Sequence, residues 1–293
     1  MTSGYEFLDR LRDDLGQLPT HADHVFRRRR WMVVAPITVI VVVSFAVVAV
    51  ILTRGGSTAV PTASAATYLN AAADHVLAMP ATHLEPGQFY YEKYHGTVGP
   101  LPGVAIGTSE QWTSRYGTGR LLYDGHQIAG FTGSAAHPAQ TAFGSRSLTY
   151  PQLQALPTDP NSLAAIIRKA STPPGPIGVS SAEYRTIGQL LSGSPWPIPP
   201  RLRAALLRVA ATIPGLTISK NARDCAGRPA IAVINQEHGY ANDEPVRMRF
   251  ELFFNPKNDL FLGERGTVEG LTQPFQCIAL LDAGVVNSSV TRP

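Results

Sequence analysis

The sequence predicts an α+β protein: a curved antiparallel sheet packed with helices, standing outside a single membrane-crossing helix. Three observations predict this. Two groups of strand-like runs, one within residues 87–131 and one within 216–266, flank a helical, proline-punctuated middle. A two-residue hairpin signal inside the first group marks an antiparallel meander. Ahead of both lies a stretch with no charged residue that is long enough to span a bilayer. A sheet with one apolar face must bury it, so the helices are expected to cover the concave side.

Residues 1–30 are expected to form a cytoplasmic tail. Within YEFLDRLRDDLGQL, Tyr5, Leu8, Leu11, Leu15 and Leu18 recur at three- and four-residue steps, the stripe of one amphipathic helix. So short a segment buries no core of its own, which leaves a partner protein, the membrane surface or no order at all. Leu8, Leu11 and Leu15 are the candidate contacts to a cytoplasmic regulatory protein. His21 and His24 have no cysteine or third ligand nearby and read as solvated.

Residues 31–52, WMVVAPITVIVVVSFAVVAVIL, form the expected transmembrane helix. At the usual rise they reach about 33 Å, against a hydrocarbon core of about 30 Å. Pro36 falls near the first turn, where its missing N–H costs little, and Trp31 suits the interface. Arg27, Arg28, Arg29 and Arg30 precede the span and only Arg54 closely follows it, so the N-terminus is expected inside and the remainder outside. A cleaved signal peptide is the competing reading, with Ala63, Ser64 and Ala65 as the small-residue site; against it, the apolar stretch is long and those residues lie well beyond its end. The net charge of +4 is local to the arginine quartet, so no nucleic-acid-binding field follows.

Residues 53–64, TRGGSTAVPTAS, read as a linker, and residues 65–293 as one extracytoplasmic domain. Its first helix is expected over 65–79, where Leu69, Ala72, Ala73, Val76 and Leu77 make a stripe that Pro80 ends. Strand-like runs follow at GQFYYEKYH, TSEQWTSRY and RLLYDGHQIAGF, the last holding Asp124-Gly125 as a type I′ turn. Tyr90, Tyr91, Tyr94, Trp112, Tyr116 and Tyr123 supply cross-strand aromatic contacts there.

In the middle, Asp159 caps a helix whose first position is Pro160, and Ser180 with Glu183 forms a capping box ahead of Tyr184, Ile187, Leu190 and Leu191. The segment PPRLRAALLRVAATIPG puts Leu202, Ala205, Leu206, Val209, Ala210 and Ile213 on one face, stopped by Pro214-Gly215. Strands return at LTISKNAR, RPAIAVINQ, VRMRFELFF and DLFLGERG, with turns at Ala226-Gly227 and at Asn255 to Asn258.

Cys225 and Cys277, the only cysteines, both fall on the outer side, where oxidising conditions allow a disulfide; two unrelated buried thiols are the alternative. No nucleophile elbow, zinc-protease helix, phosphate-binding loop or dinucleotide fingerprint occurs, and the eight histidines lack metal spacing. Asp124, Glu183, Asp224, Glu251 and Asp282 stand singly, as caps or solvated pairs do. The expectation is therefore no enzyme, no cofactor and no metal.

LPTDPNSL at 156–163, RAALLRVAATIPGL at 203–216, GRPAIAV at 227–233 and the hairpin FELFFNPKNDLFLGER, together with the architecture, resemble an actinobacterial family of single-pass membrane proteins of uncharacterised function, often encoded beside extracytoplasmic-function sigma factors. The resemblance covers most of the outer domain and carries no catalytic residues to transfer. By fold-level analogy, the outer part is similar to the lipoprotein-carrier (LolA) and RseB-type half-barrels, in which a curved sheet and helices enclose an apolar groove. Membrane anti-sigma factors usually place a longer, often zinc-binding helical domain in the cytoplasm, and a tail of about 30 residues without cysteine departs from that pattern. The leading expectation is a non-enzymatic envelope sensor or accessory signalling regulator in the cell membrane, whose ligand is an envelope lipid or protein. A tethered carrier of lipid or lipoprotein comes second and an extracytoplasmic hydrolase third.

Overall fold

The computed structural model describes residues 62–98, 106–171, 179–241, 244–271 and 273–293. The tail with Leu8, Leu11 and Leu15, the quartet Arg27 to Arg30, Trp31 and the expected span at 31–52 lie outside the described residues. Among the described residues, no helix is long and apolar enough to cross a membrane.

The α+β class and the curved antiparallel sheet stand as the sequence predicts. Helix α1 (Thr62–Leu77) starts inside the last residues of the expected linker and buries Leu69, Ala72, Ala73 and Val76 of the predicted face, while Leu77, its last residue, is exposed. Then come β1 (Phe89–Val98), β2 (Gly107–Ser114), β3 (Thr118–Tyr123) and β4 (His126–Thr132). Asp124 and Gly125 join β3 to β4 at φ 47° and 82°, the paired positive values a type I′ turn requires.

A small hairpin of β5 (Thr141–Phe143) and β6 (Arg146–Leu148) leads into the short helix α2 (Tyr150–Gln154). The sequence reading passes over all three. Helix α3 (Pro160–Ala170) opens as expected, Asp159 Oδ2 accepting from the Ser162 N–H at 2.8 Å with Pro160 in the first turn. Helix α4 (Val179–Gly193) buries Tyr184, Ile187 and Leu190 as expected, while the Ser180 side chain of the expected Ser180–Glu183 box lies outside those described. Glu183 accepts from Arg168 Nε at 2.9 Å, because α3 packs close enough to offer a cation. A capping box does occur at α2, where the Thr149 N–H donates to the Gln152 side chain at 2.9 Å. Helix α5 (Pro200–Ala211) buries Ala204 and Leu207 besides the predicted stripe, because other helices surround it.

The second strand group comprises β7 (Thr217–Arg223), β8 (Pro229–Ala241), β9 (Glu244–Phe254), β10 (Phe261–Val268) and β11 (Gln276–Val286). The sequence reading has no counterpart of β11, yet it makes the two groups one sheet: the order is β4-β3-β2-β1-β11-β10-β9-β8-β7, nine strands with every pairing antiparallel.

The main core lies on the concave face. There Tyr90, Ile218, Val233, Leu252 and Phe254 of the sheet meet Leu69, Leu163, Ile167, Tyr184, Ile187, Leu202 and Leu206 of the helices. Two smaller clusters occupy the convex face. Ala230, Ala232, Ile234, Phe253 and Leu262 pack beneath Cys225 of the β7–β8 turn. Tyr91, Trp112, Leu122 and Val286 form the other. Tyr91 and Trp112 are cross-strand partners with ring centroids 4.9 Å apart, while Tyr90 joins the opposite, concave core, so the predicted aromatic set divides between faces by strand alternation.

The C-terminal residues strap the second convex cluster. Trp112 Nε1 donates to the Thr291 carbonyl at 2.5 Å, Arg292 Nε donates to Glu110 at 2.5 Å, and Arg292 and Arg120 lie 5.9 and 4.4 Å from the Trp112 ring. The Arg292 guanidinium holds the Glu110 carboxyl below the usual carboxylate range.

Candidate functional site

Strand alternation places polar side chains as well as apolar ones on the concave face, on β1, β10 and β8. Glu92 and Tyr94, two residues apart on β1, both point there. The Tyr94 hydroxyl donates to Glu92 Oε1 at 2.6 Å. On β10, Glu264 Oε1 accepts from Ser192 Oγ at 2.7 Å and from Gln276 Nε2 at 2.5 Å. On β8, Asn235 accepts from Ser181 at 3.3 Å, and both oxygens of Glu237 lack a hydrogen-bond partner among the described residues.

Burial sets the protonation of these carboxyls. It drives the Glu92 carboxyl up to about 8, although the Tyr94 hydroxyl and the Arg203 charge work in the opposite direction. Glu264 is raised for the same reason, against Ser192 and Arg185, and burial also raises Glu237. A carboxyl near 8 is largely protonated at neutral pH, so Glu92 is held as a neutral acid in place of a charge.

These acids have little room to act on a substrate. The cavity lined by Tyr90, Glu92, Trp196, Ile198 and Arg203 measures about 30 Å³, and that beside Glu264, Gly188 and Phe250 about 10 Å³. Each is about the size that holds a single water, whereas ligand sites are on the order of 300–1,000 Å³. The sheet's concavity is filled by Trp196, Leu202, Leu206 and their neighbours.

A larger opening lies on the convex face, about 460 Å³ in volume, lined by Asp224, Cys225, Arg249, Glu251, Arg265, Thr267, Leu271, Gln273, Pro274 and Cys277. Cys225 and Cys277 are bonded at 2.04 Å, with Cα atoms 5.6 Å apart, which resolves the sequence alternatives in favour of the disulfide. The bridge ties the β7–β8 turn to β11. Arg228 adds a second tie, donating to the carbonyls of Leu280 at 2.8 Å and Leu262 at 3.3 Å.

Glu251 stands inside the cleft with a side chain only 2% exposed. Its Oε1 accepts from Arg249 Nη2 at 2.7 Å and its Oε2 from Arg265 Nε at 2.5 Å. Asp224 is equally committed, taking the N–H groups of Ala226 and Arg228 on Oδ1 and Arg228 Nε on Oδ2. Carboxylates held this way are poorly placed as general bases, because their oxygens already accept from guanidinium and backbone donors and are turned away from the open side of the cleft. The exposed charged surface of the cleft is guanidinium.

Of the carboxylates that the sequence singles out, Asp124 ties the β3–β4 turn to β2 by accepting from the Thr108 N–H, Glu183 pairs with Arg168, and Asp224 and Glu251 share the convex cleft. Glu251 is therefore a buried member of a doubled pair and not a solvated one. Sequence reasoning missed Glu92, Glu237 and Glu264. The available signal was an acid placed on the apolar side of a strand's alternation, as Glu92 is two residues after Tyr90; at Glu264 a bulge between Phe261 and Gly263 breaks the alternation, so Leu262 lies on the opposite face. Among the described residues, no cluster of three or more His, Cys, Asp or Glu side chains is arranged to hold a metal. Compared with protein families, with curated proteins and with solved structures, the chain has no match.

Proposed function

We propose that this chain is a membrane-anchored, non-enzymatic envelope sensor or accessory signalling regulator, its N-terminus cytoplasmic and its α+β domain outside. The observation that carries this reading is where the space lies. The concave face is filled by the chain's own helices, and the roomy cleft on the convex face has no free base among its carboxylates. Such a domain is suited to recognition: among the described residues the spaces beside Glu92 and Glu264 are too small for a lipid chain, and the acids of the convex cleft are paired. The anchor is the uncharged stretch 31–52 after Arg27 to Arg30, with the lipid bilayer as its partner. The resemblance to the actinobacterial family encoded beside sigma factors agrees with a signalling role.

In this reading the tail passes the signal to a cytoplasmic regulatory protein through Leu8, Leu11 and Leu15. The test is a pull-down from membranes of the source cell with the full chain and with Leu8→Glu/Leu11→Glu/Leu15→Glu. Partner recovery is expected to fall about tenfold or more in the variant, as loss of three apolar anchors implies. Equal recovery, or recovery of the intact chain in the soluble fraction, would overturn the proposal. A carrier would instead co-purify with stoichiometric lipid, which mass spectrometry of the full chain in detergent detects.

A further inference from the structure

The convex cleft has the parts of an oxyanion receptor. Arg249 and Arg265 project from adjacent strands β9 and β10, one to each oxygen of the buried Glu251. Arg265 also lies 5.0 Å from the centroid of the Phe253 ring, which further fixes its plane. Each guanidinium carries five donors and gives one of them to Glu251 in these bonds, so donors remain for a second acceptor. Both side chains are about one-third exposed, at 35% and 31%, against 2% for the carboxylate between them.

Charge points the same way. Asp224 is paired with Arg228, which does not line the cleft, while Glu251 is shared by the two guanidiniums that do, Arg249 and Arg265. One positive charge is left over, and it sits at the open side because both acids are buried. A buried acid that orients two arginines has the role an outer-shell carboxylate plays behind a ligand-binding group: it fixes the fork and leaves the outward donors preorganised.

We propose that this cleft binds a small oxyanion, a carboxylate or phosphate group of a soluble envelope molecule, through Arg249 and Arg265. Two forked cations side by side match the oxygens of either group, and paired charge-assisted bonds are the strong ones. Thr267 and Gln273 supply neutral donors, and Leu271, 62% exposed, supplies an apolar edge for the body of the ligand. The ligand would be what the sensor reads, so its biological meaning rests on the function proposed above; the binding itself does not involve the tail.

The experiment is calorimetric titration and thermal unfolding of the full chain in a non-ionic detergent, with inorganic phosphate and with citrate in separate arms and sodium chloride at matched ionic strength as the reference. Saturable binding and a raised Tm are expected in one arm or both, and the stronger arm identifies the group. Arg265→Gln and Leu271→Glu are each expected to weaken Kd by about tenfold or more. Arg247→Gln, altering an exposed arginine that does not line the cleft, is expected to leave it unchanged. Leu271→Glu changes an exposed residue, so it tests the site even if an arginine variant fails to fold. No binding above the chloride reference, or binding that survives Leu271→Glu and Arg265→Gln at full strength, would overturn the proposal. Neither result bears on the leucine tail variant, whose partner capture is scored separately.

Discussion

Glu92 shows how one side chain can couple the whole domain to pH. In the unfolded chain its carboxyl titrates near 4.5, and in the folded protein burial moves it to about 8. Between those values the folded state keeps a proton that the unfolded chain releases. Stability is therefore full below about pH 4.5, falls as pH rises, and levels off above about 8, where both states are charged. Glu264 and Glu237 are raised by the same burial and steepen the same slope. The variant Glu92→Gln keeps the oxygen that the Tyr94 hydroxyl meets and removes the titration. Its stability by urea unfolding is expected to match wild type near pH 4.5 and to exceed it by about 2–4 kcal/mol at pH 8. Parallel pH profiles for the two proteins would contradict this account. Such an acid is hard to see in the sequence. Glu92, Glu237 and Glu264 sit on three different strands, β1, β8 and β10, and only assembly of the sheet against the helices buries them on one face. Asp159 and Asp124 were legible because their partners, Ser162 in one case and a turn glycine in the other, lie within a few residues.

At the scale of the element, β11 decides whether there is one sheet or two. It is gripped on both sides by glycines: Gly96 of β1 and Gly263 of β10 have φ of 146° and 139°. A Cβ on Gly96 would stand 1.8 Å from the Cys277 carbonyl oxygen, and one on Gly263 2.0 Å from that of Ile278. Those obstacles are backbone and cannot rotate away. Gly96→Ala is therefore expected to cost about 2–4 kcal/mol. Gly125→Ala, strained at φ 82° but with nothing within 4 Å of its Cβ, should cost about 1 kcal/mol. Equal losses in denaturant unfolding would show that β11 does not depend on this close approach. The same strand explains a failure of pattern reading. QCIALLDAGVV lacks clean alternation, and its Asp282 and Gly284 look like breakers, because pairing on both sides and not one apolar face holds the strand in place. Where one face is apolar and the ends carry turn chemistry, as in α3, α5 and the β9–β10 hairpin, the sequence sufficed.

Across the whole molecule, the helices buttress one face of the sheet while the far reach of the β7–β8 turn closes the other. That turn is held to β10 and β11 by two unlike links, the disulfide and the Arg228 guanidinium. The cysteines are separated by 52 positions, and closing such a loop confers up to about 4 kcal/mol by restricting the unfolded chain. Arg228 acts only in the folded state, by filling the acceptors of Leu262 and Leu280 and neutralising Asp224. If both links hold the same turn, they are not independent. Cys225→Ser/Cys277→Ser is expected to lower stability by about 3–4 kcal/mol with the turn still docked. Arg228→Met is expected to cost about 2–3 kcal/mol by leaving Asp224 buried without its cation. The combined variant should lose more than the sum by at least about 0.5 kcal/mol, because only then does the turn leave the convex cluster and expose Phe253 and Ile234. Strict additivity in urea unfolding would mean that each link stabilises a different part of the sheet, and the convex cleft would then keep its shape when the disulfide is reduced.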